Sequence, residues 1–576
     1  MRRDGNSTDA PPLPHKVELA VRSIPFADSA AFAGLEQYAG QLPMSDTDHM
    51  FFWLIANTTN AHNHDKLVIW LNGGPGCSSL DGVFMENGPY KFAGSSRLVA
   101  RDYSLAEQFD VLYIDQPFGT GFSVAPTDSF ERSFKHAAQT LAEFLARFYR
   151  VFPEYRERQL YVAGESEAGT YIPYLADAIL KLPEAERIDL RGLMIGNGWV
   201  DPYPMYMSYA ELLRRRQLLT PALQTKLLAQ MDRCTREFNR APQPVHTDAC
   251  EGIAGVFLDD EPAPGMCYNM YDLRLTDTQP ACGMNWPPEV HMYTEYLNRK
   301  DVQVAINVGA RAPAAWTECN NQVNRMLRRD TSPPASTLLP GILEHMPVLF
   351  FVGKEDYLCN YVGTEWTIGN LTWAGATGFA PGSQRNWTID GDPVGVIAAD
   401  RGLTYALISD ASHMVGVDKP REILDLFTAF TNASAANLRF RSSFRSGAAD
   451  EISMPVPARD GGAAGRWLAL ALLLALAVGF ALCFVCRRRL FAWWVARRAG
   501  YGTIDGRRAD DDALVAVRGR RSDDLDDAFM MSEFSFKGKR RSLDVEGLLL
   551  DDSMASSPDD DRTAMHSSGR SPEHSQ

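Results

Sequence analysis

The amino-acid sequence predicts an α/β fold, in which helices cover both faces of a mainly parallel mixed sheet. Short apolar runs alternate with segments of helical spacing along most of the chain before position 432. Strands of a parallel sheet are buried on both faces, so they read as continuous apolar runs. With 45% hydrophobic and 10% aromatic residues, the 576-residue chain can also build a large core.

The individual elements follow from these runs. Strands are expected over 51–55, 66–71, 109–114, 160–163, 190–195, 347–352 and 403–408, and helices over 133–152, from the turn at 166 to 182, and over 421–430. The alternation stops between 199 and 288, where the chain is polar, helix-prone and rich in proline and tyrosine. We interpret residues 199–320 as a helical cap inserted over the C-terminal edge of the sheet.

One stretch has the composition of a transmembrane helix. Residues 467–486 carry no charge, and 20 residues at 1.5 Å each span about 30 Å, the thickness of a bilayer's hydrocarbon core. Arginines at 487–489 follow, so the positive-inside rule places the C-terminal side in the cytosol. The expected order is a flexible lumenal lead-in over 1–16, a lumenal globular domain over 17–432, a stalk over 433–466, the membrane helix, and a disordered acidic cytoplasmic tail over 487–576.

Sequons of the form N-x-S/T lie only on the side expected to be lumenal. Their asparagines, the candidate glycosylation sites, are Asn6, Asn57, Asn370, Asn386 and Asn432. The sequence after Met1 is polar and has no apolar signal core, so we expect that a signal segment is missing from it. The alternative is that the membrane helix itself directs insertion.

Cysteine usage indicates disulfides. Cys483 and Cys486 belong to the expected membrane helix. The seven others are Cys77, Cys234, Cys250, Cys267, Cys282, Cys319 and Cys359. An odd number in an oxidising compartment predicts three disulfides and one free thiol. These seven contain no C-x-x-C pair, which disfavours a zinc site.

The chemistry is organised around a serine in a tight turn. The segment LYVAGESEAGTYIP at 160–173 begins as an apolar run, turns at Ser166 through small residues and continues as a segment that can be helical. This pattern is typical of a strand–turn–helix elbow, which exposes the serine hydroxyl above a sheet at a helix N-terminus. The match to G-x-S-x-G is imperfect, because Ala168 takes the place of the last glycine.

Two later loops supply the partners that a nucleophilic serine needs. In α/β-hydrolases a catalytic acid and a histidine follow the serine in chain order, each just past a strand. Asp356 and His413 occupy such positions here. His413 can take the proton of Ser166 and deliver it to the leaving amine, while Asp356 holds the imidazole tautomer.

A glycine-rich turn can hold the oxyanion that forms during the attack. NGGPG at 72–76 can bring a bare backbone N–H, that of Gly74, close to the substrate. The second N–H would come from Glu167, the residue after the nucleophile. The alternative is a phosphate-binding loop, but no Lys-Ser/Thr pair follows this turn.

These motifs together resemble the serine carboxypeptidase family. They are WLNGGPGCSS at 70–79, DQPFGTGFS at 115–123, GESEAGTYIP at 164–173, IGNG at 195–198 and the loops of Asp356 and His413. The resemblance covers residues 17–432. It implies an α/β-hydrolase fold, hydrolysis through an acyl-enzyme with no cofactor and no metal, and substrates that are peptides or precursors with exposed C-termini.

A subgroup of the family is also indicated. ASHMV at 411–415 and the C-terminal membrane span are similar to the pheromone-processing carboxypeptidases of the fungal secretory pathway. Those are type I membrane proteins of the late Golgi that remove C-terminal lysine and arginine. The resemblance therefore implies a trans-Golgi location with a lumenal catalytic domain.

The same resemblance assigns further residues. Asn72, Glu86 and Glu165 match positions that hold the terminal carboxylate of the substrate. Raised pKa values would let the two glutamates donate hydrogen bonds to it in mild acid, so an acidic pH optimum is expected. The implied disulfides are Cys77–Cys319, Cys234–Cys250 and Cys267–Cys282, with Cys359 as a free thiol near the pocket. Sequence alone does not fix this connectivity.

The chain departs from the family pattern at three positions. Glu167 replaces a tyrosine, Lys354 an aspartate and Gly416 a proline. The first matters most, because a carboxylate next to the oxyanion opposes it unless it is protonated or turned away. Three interpretations stay open: Glu167 attracts a basic substrate side chain, it points to solvent, or the enzyme is weakened.

Other functions and partners follow from weaker features. An acyltransferase or esterase can use the same site, and a catalytically impaired binding or chaperone-like protein is the alternative that Glu167 suggests. In the tail, YGTI at 501–504 and FSF at 534–536 resemble signals for sorting machinery. Much of the net charge of −15 comes from acidic runs in the tail, and no basic patch with interleaved aromatic residues occurs, so nucleic acid is not an expected partner.

Overall fold

A computed structural model describes residues 11–58, 65–94, 97–240, 246–309 and 313–432. The expected stalk, membrane helix and cytoplasmic tail lie outside the described residues, as does Asn6. No helix within the described ranges is both long and apolar enough to cross a membrane.

The described strands form one large sheet and three small two-stranded sheets. In chain order they are β1 Leu35–Pro43, β2 His49–Asn57, β3 Lys66–Leu71, β4 Tyr90–Ala93, β5 Arg97–Ala100, β6 Asp110–Ile114, β7 Gln159–Ser166, β8 Leu190–Gly198, β9 Met266–Tyr268, β10 Thr276–Thr278, β11 Val348–Gly353, β12 Thr372–Trp373, β13 Ala376–Thr377, β14 Gln384–Ile389, β15 Asp392–Asp400 and β16 Leu403–Ile408. The large sheet has the order β1-β2-β6-β3-β7-β8-β11-β16-β15-β14.

The helices of the described ranges alternate with these strands. They are α1 Ser29–Phe32, α2 Phe134–Val151, α3 Ala168–Leu180, α4 Pro202–Arg215, α5 Pro221–Phe238, α6 Asp248–Leu258, α7 Glu289–Leu297, α8 Lys300–Ala305, α9 Asn321–Leu327, α10 Leu339–Leu343, α11 Tyr361–Asn370, α12 Val415–Asp418 and α13 Pro420–Asn432. The segment between β8 and β11, which contains α4 to α10, adds no strand to the large sheet. We call this segment the cap below; it contains the range 199–320 for which the sequence predicts a cap.

The centre of the large sheet is parallel and its edges are antiparallel. Strands β6, β3, β7, β8, β11 and β16 run parallel to one another. The pairs β1–β2, β2–β6, β14–β15 and β15–β16 are antiparallel. The sheet is therefore mixed, as the sequence predicts, with the parallel strands in the middle where burial on both faces is greatest.

Alternate side chains of the strands enter two separate cores. Phe52 of β2 packs against Phe144 and Phe148 of α2 on one face. On the other face, Phe351 of β11 packs against Phe427 of α13. Because side chains alternate along a strand, this packing requires helices on both faces, and it brings the carboxyl ends of the parallel strands to one edge.

Candidate active site

Ser166 lies at the junction of β7 and α3 in a strained conformation. Its φ is +60°, a value that a residue with a side chain rarely adopts outside special turns. The turn is held from outside, because the N–H of Trp199 donates to the carbonyl of Ser166 at 2.8 Å. The strand–turn–helix geometry expected at this position is therefore present.

Close backbone contacts at the elbow explain its glycines. A Cβ at Gly73 would lie 2.5 Å from the backbone nitrogen of Glu167 and 2.9 Å from Oγ of Ser166. A Cβ at Gly164 would lie 2.8 Å from that of Ala168. The loop that carries Gly73 thus rests directly on the elbow, and Ala168 is accommodated because Gly164 has no side chain.

Asp356 and His413 form a buried pair at the carboxyl ends of β11 and β16. Nδ1 of His413 lies 2.7 Å from Oδ2 of Asp356, and both residues are almost fully buried. The backbone N–H groups of Leu358 and Cys359 also donate to the Asp356 carboxylate, at 2.8 and 3.2 Å. These donors orient the carboxylate, which can accept a hydrogen bond from Nδ1–H and leave Nε2 of His413 to accept a proton.

Asn197 is a residue of this site to which sequence reasoning gave no role. Its Nδ2 donates to Asp356 at 2.7 Å, and its Oδ1 accepts from the backbone N–H of Gly353 at 2.9 Å. It is the penultimate residue of β8 and has a φ of +35°. Asn197 therefore fixes the acid loop against the neighbouring strand. The IGNG motif was its available signal.

The buried thiol of Cys359 lies next to these groups. Its Sγ, a carboxylate oxygen of Asp356 and a ring nitrogen of His413 all lie within 4.8 Å of one another. Burial raises the pKa of the thiol well above its usual range, although a hydrogen bond with the Ser166 side chain opposes the rise. Cys359 is free. The Ser166 side chain thus contacts the thiol that lies within 4.8 Å of the acid–histidine pair.

Asp115 anchors the segment that follows the glycine-rich loop at 72–76. Oδ1 of Asp115 accepts from the hydroxyl of Ser78 at 2.5 Å and from the N–H of Ser79 at 3.1 Å, and Oδ2 accepts from the N–H of Phe122 at 2.8 Å. Burial outweighs these bonds and raises the pKa of Asp115 to about 6. Gly74 has a φ of +113°, which a side chain would strain.

One of three disulfides in the described part of the chain joins the same loop to the cap. The bonded pairs are Cys77–Cys319, Cys234–Cys250 and Cys267–Cys282, which are the pairs implied by the family resemblance. Cys77 and Cys319 are 242 positions apart in the sequence. Their bond therefore ties the glycine-rich loop to the distant end of the cap.

Asn72, Glu86 and Glu165 form one buried cluster. Nδ2 of Asn72 donates to Oε1 of Glu86 at 2.7 Å and to Oε1 of Glu165 at 3.2 Å. Burial raises the pKa of both glutamates, and the charge of Glu86 and a hydrogen bond between the two side chains raise that of Glu165 further. Two carboxyl groups in this arrangement retain a proton in mild acid and can donate it to a third carboxylate.

A second acidic pair adjoins this cluster and was not foreseen from the sequence. Asp81 is buried, accepts a 2.7 Å hydrogen bond from the Tyr293 hydroxyl and directly precedes the helical turn that carries Glu86. Burial and the charge of Glu318 raise the pKa of Asp81 well above its usual range, and burial raises that of Glu318 to about 7. A cation placed between them would remove this mutual repulsion.

The side chain of Glu167 is 4% exposed, so the interpretation in which it points to solvent is wrong. Oε2 of Glu167 lies 3.4 Å from Nε2 of His246, a residue of the cap. The residues are 79 positions apart (246 − 167), and no local sequence pattern indicates that they meet. The carboxylate of Glu167, the residue after the nucleophile, thus faces the imidazole of His246.

The other two departures from the family pattern have different surroundings. Lys354 is exposed, whereas a Cβ at Gly416 would lie 2.9 Å from the carbonyl oxygen of Glu86.

The candidate glycosylation sites differ in exposure. Of those within the described ranges, Asn370 and Asn432 are exposed, and Asn57 and Asn386 are half-buried.

Comparisons with known proteins agree with this geometry. A model of the serine carboxypeptidase family matches residues 27–433. Pheromone-processing carboxypeptidase kex1 of Aspergillus niger is 39% identical over 434 residues, which are 73% of this chain and 70% of that protein. Pheromone-processing carboxypeptidase KEX1 of Pyricularia oryzae is 39% identical over 436 residues, 73% of this chain and 68% of that protein.

A solved structure gives the same result for the fold. The crystal structure of Kex1Δp, a prohormone-processing carboxypeptidase from Saccharomyces cerevisiae, superposes with a TM-score of 0.67 at 31% sequence identity. The match covers 72% of this chain and 96% of that chain. The large mixed sheet with its helices is therefore shared with that enzyme.

Proposed function

This chain belongs to the serine carboxypeptidase family and is a serine-type carboxypeptidase, and we propose that it removes C-terminal lysine and arginine from peptide precursors in the secretory pathway. The observation that carries the preference for basic residues is the pair formed by the buried Asp81 and the half-buried Glu318, next to the cluster of Asn72, Glu86 and Glu165. The pair of Asp81 and Glu318 is suited to a cationic side chain. The cluster around Asn72 is suited to a terminal carboxylate.

In the proposed mechanism, Oγ of Ser166 attacks the last peptide carbonyl. His413 takes the hydroxyl proton at Nε2 and gives it to the leaving amine, which departs as the free amino acid. Asp356 holds Nδ1–H and stabilises the imidazolium; the 2.7 Å contact supports this role. Water then attacks the acyl-enzyme, again with His413 as base, and releases the shortened peptide.

The oxyanion of each step would be held by two backbone N–H groups, those of Gly74 and Glu167. Both belong to segments that are fixed before substrate binds. The Asp115 hydrogen bonds and the Cys77–Cys319 disulfide hold the first, and the strained turn at Ser166 holds the second. Donors that are fixed in advance need no reorganisation as the charge develops.

Recognition of the C-terminus would use the neighbouring cluster. The amide of Asn72 and one proton shared between Glu86 and Glu165 would donate to the substrate carboxylate. A peptide substrate carries this carboxylate, whereas an ester substrate with a blocked C-terminus does not. The cluster therefore explains how the enzyme can choose chain ends and why it would work best in mild acid.

The basic side chain of the last residue would lie between Asp81 and Glu318. The pair can retain a proton, because burial raises the pKa of both carboxyl groups and the charge of Glu318 raises that of Asp81 further. An ammonium or guanidinium group would lower both pKa values and displace that proton, forming charge-assisted hydrogen bonds. An uncharged side chain of the same length would leave the acids uncompensated.

A location in the Golgi membrane as a type I glycoprotein completes the proposal. Its support is the apolar stretch at 467–486, the arginines that follow it, the sequons before it and three disulfides. The two fungal relatives are named as pheromone-processing carboxypeptidases. The tail signals at 501–504 and 534–536 would serve sorting machinery.

Two experiments on the purified protein test the proposed function. A fluorophosphonate probe should label the wild type and not Ser166→Ala. On matched peptides ending in lysine or alanine, Asp81→Asn should lower kcat/KM for the lysine peptide by about tenfold or more and affect the alanine peptide much less. Asp128→Asn, at an exposed position, is the control.

The outcomes separate the alternatives. Equal losses on both peptides would refute the basic pocket. Labelling without release of C-terminal residues would favour an acyltransferase or esterase, and no labelling in mild acid would favour a binding protein.

A further inference from the structure

The residue after the nucleophile belongs to a chain of alternating charges that reaches into the cap. Glu167 lies 3.4 Å from His246, whose Nδ1 lies 2.8 Å from Oε1 of Glu251. Glu251 in turn accepts from Tyr206 at 2.6 Å and pairs with Arg328 at 3.3 Å. One imidazole thus faces a carboxylate on each of its two nitrogens.

This arrangement requires a protonated imidazole. Burial opposes the charge of His246, but Glu167 and Glu251 outweigh it and raise its pKa to about 9. Burial also opposes ionisation of Glu251, but His246 and Arg328 lower its pKa to about 2. With His246 charged, the two carboxylates and two cations of this chain sum to zero.

The chain of charges is packed rigidly against the elbow. The ring of His246 stacks on Trp199 at 5.8 Å with an angle of 9° between planes. Trp199 is also the residue whose N–H holds the carbonyl of Ser166. His246 is therefore fixed by the same residue that fixes the nucleophile.

We propose that His246 is a positioning residue whose imidazolium keeps the carboxylate of Glu167 from opposing the oxyanion formed at Ser166. The inference rests on the proposed catalytic role of Ser166. Without the imidazolium, a buried carboxylate would stand beside the N–H that holds the developing negative charge. Oε1 of Glu167 and Nε2 of His246 have no hydrogen-bond partner within the described part of the chain, so the 3.4 Å contact between Nε2 and Oε2 of Glu167 acts as an ion pair that compensates the charge.

The other ionisable groups near Glu167 cannot replace His246. Tyr171 of α3 and Cys359 are both buried, and both have pKa values well above their usual range. Each is neutral over the working range and carries no positive charge. Arg328 contacts the far carboxylate, that of Glu251.

The geometry indicates that the charge of Glu167 is compensated by His246 and does not serve to attract a substrate side chain. The carboxylate of Glu167 is buried, and one of its oxygens already faces His246. A substrate cation would have to displace a fixed, stacked imidazolium. We therefore do not propose that Glu167 attracts a basic substrate residue, and the experiment below distinguishes the two roles.

The test is a double-mutant cycle on the full-length protein. The variants are His246→Gln, Glu167→Gln and their combination, each assayed in mild acid on a lysine-terminated peptide, on its blocked ester and for the rate of fluorophosphonate labelling. His246→Gln should lower kcat and the labelling rate by roughly 10- to 100-fold with little change in KM. Adding Glu167→Gln should recover most of that loss, because the uncompensated charge is gone.

The control for histidine removal is His136→Gln, since His136 also pairs with a glutamate, Glu131, but is 68% exposed on the surface. It should match the wild type. A double variant as slow as His246→Gln, or slower, would overturn the proposal, as would a loss confined to the lysine-terminated peptide that leaves the labelling rate unchanged. A wild type that is labelled but releases no C-terminal residue would overturn the proposed function. The role of His246 could still be tested in that case, because the labelling rates alone complete the double-mutant cycle.

A second measurement applies if His246→Gln does not fold. The rate of ester hydrolysis by the wild type should fall as His246 loses its proton near pH 9. Glu167→Gln should lack this alkaline fall. Coincident pH profiles of the wild type and Glu167→Gln would refute the role of His246.

Discussion

Ionisation of Glu86 and Glu165 should abolish recognition of the peptide C-terminus and spare ester hydrolysis. Both pKa values are raised by burial, and the groups share hydrogen bonds with Asn72. The proton that donates to the substrate carboxylate is present at low pH and is lost as the pH rises through the coupled pKa. Above that point, each pH unit should raise KM for peptides about tenfold.

The fall has a limit set by Coulomb repulsion. At an effective dielectric constant of 20, two like charges about 4 Å apart repel by about 4 kcal/mol. This energy corresponds to a loss of affinity of up to about a thousandfold. The ratio of peptide to ester hydrolysis should therefore fall with pH over about three units and then level off.

The assay compares kcat/KM for a lysine-terminated peptide and its blocked ester between about pH 4.5 and 9. Glu165→Gln, which is neutral at every pH, should reduce the total fall of the peptide profile, because one of the two charges that repel the substrate carboxylate is removed. Glu143→Gln, at an exposed position of α2, is the matched control. A constant peptide-to-ester ratio across this range would refute the shared-proton account, as would an unchanged total fall in Glu165→Gln.

Three further predictions concern the elements that hold the site. Asp356→Asn should lower kcat about 10⁴-fold at an unchanged fold, because the amide favours the wrong imidazole tautomer; near wild-type kcat would contradict the role of Asp356. Gly73→Ala should lower kcat at least about 100-fold, since its Cβ would lie 2.5 Å from the Glu167 nitrogen; circular dichroism should confirm the fold, and full activity would contradict the close approach. Asp115 and Glu318 have pKa values raised to about 6 and 7, so the stability that depends on their protonation is complete below the unfolded values near 4 and is lost as the pH rises through 6 and 7. The thermal midpoint should therefore fall between about pH 4 and 7, and less so in Asp115→Asn; an equal fall in that variant would contradict this cause.

The central strands could be predicted because both of their faces are buried. The expected bounds of β3 and β16 match the structure residue for residue. Burial on two faces leaves a continuous apolar run that needs no tertiary information. Helical spacing of the apolar residues, which is also a local signal, placed α2 to within one residue at each end.

The edge strands were missed for the opposite reason. β1 contains Gly40 and two glutamines, and β14 and β15 are half-buried along much of their length. Their pairing depends on the neighbouring strand more than on their own composition. An apolar run is therefore a poor guide at the margins of the sheet.

Contacts between distant residues mark the other limit. Motif spacing pointed to Ser166, Asp356 and His413, but no local pattern joins Asp81 to Glu318 or Glu167 to His246. These pairs form because the cap folds back over the sheet. Glu167, which looked like a defect in the motif, is paired with His246 by the rest of the chain.

The central claim is that Ser166 releases single residues from free C-termini. Its most direct test is mass spectrometry of twin peptides that end in lysine, one with a free carboxylate and one amidated, incubated with the wild type and with Ser166→Ala in mild acid. We predict that the wild type removes the terminal lysine from the free acid, leaves the amide intact at the same exposure, and that the variant cleaves neither. Internal cleavage, equal loss from both twins, or cleavage by Ser166→Ala would contradict the account.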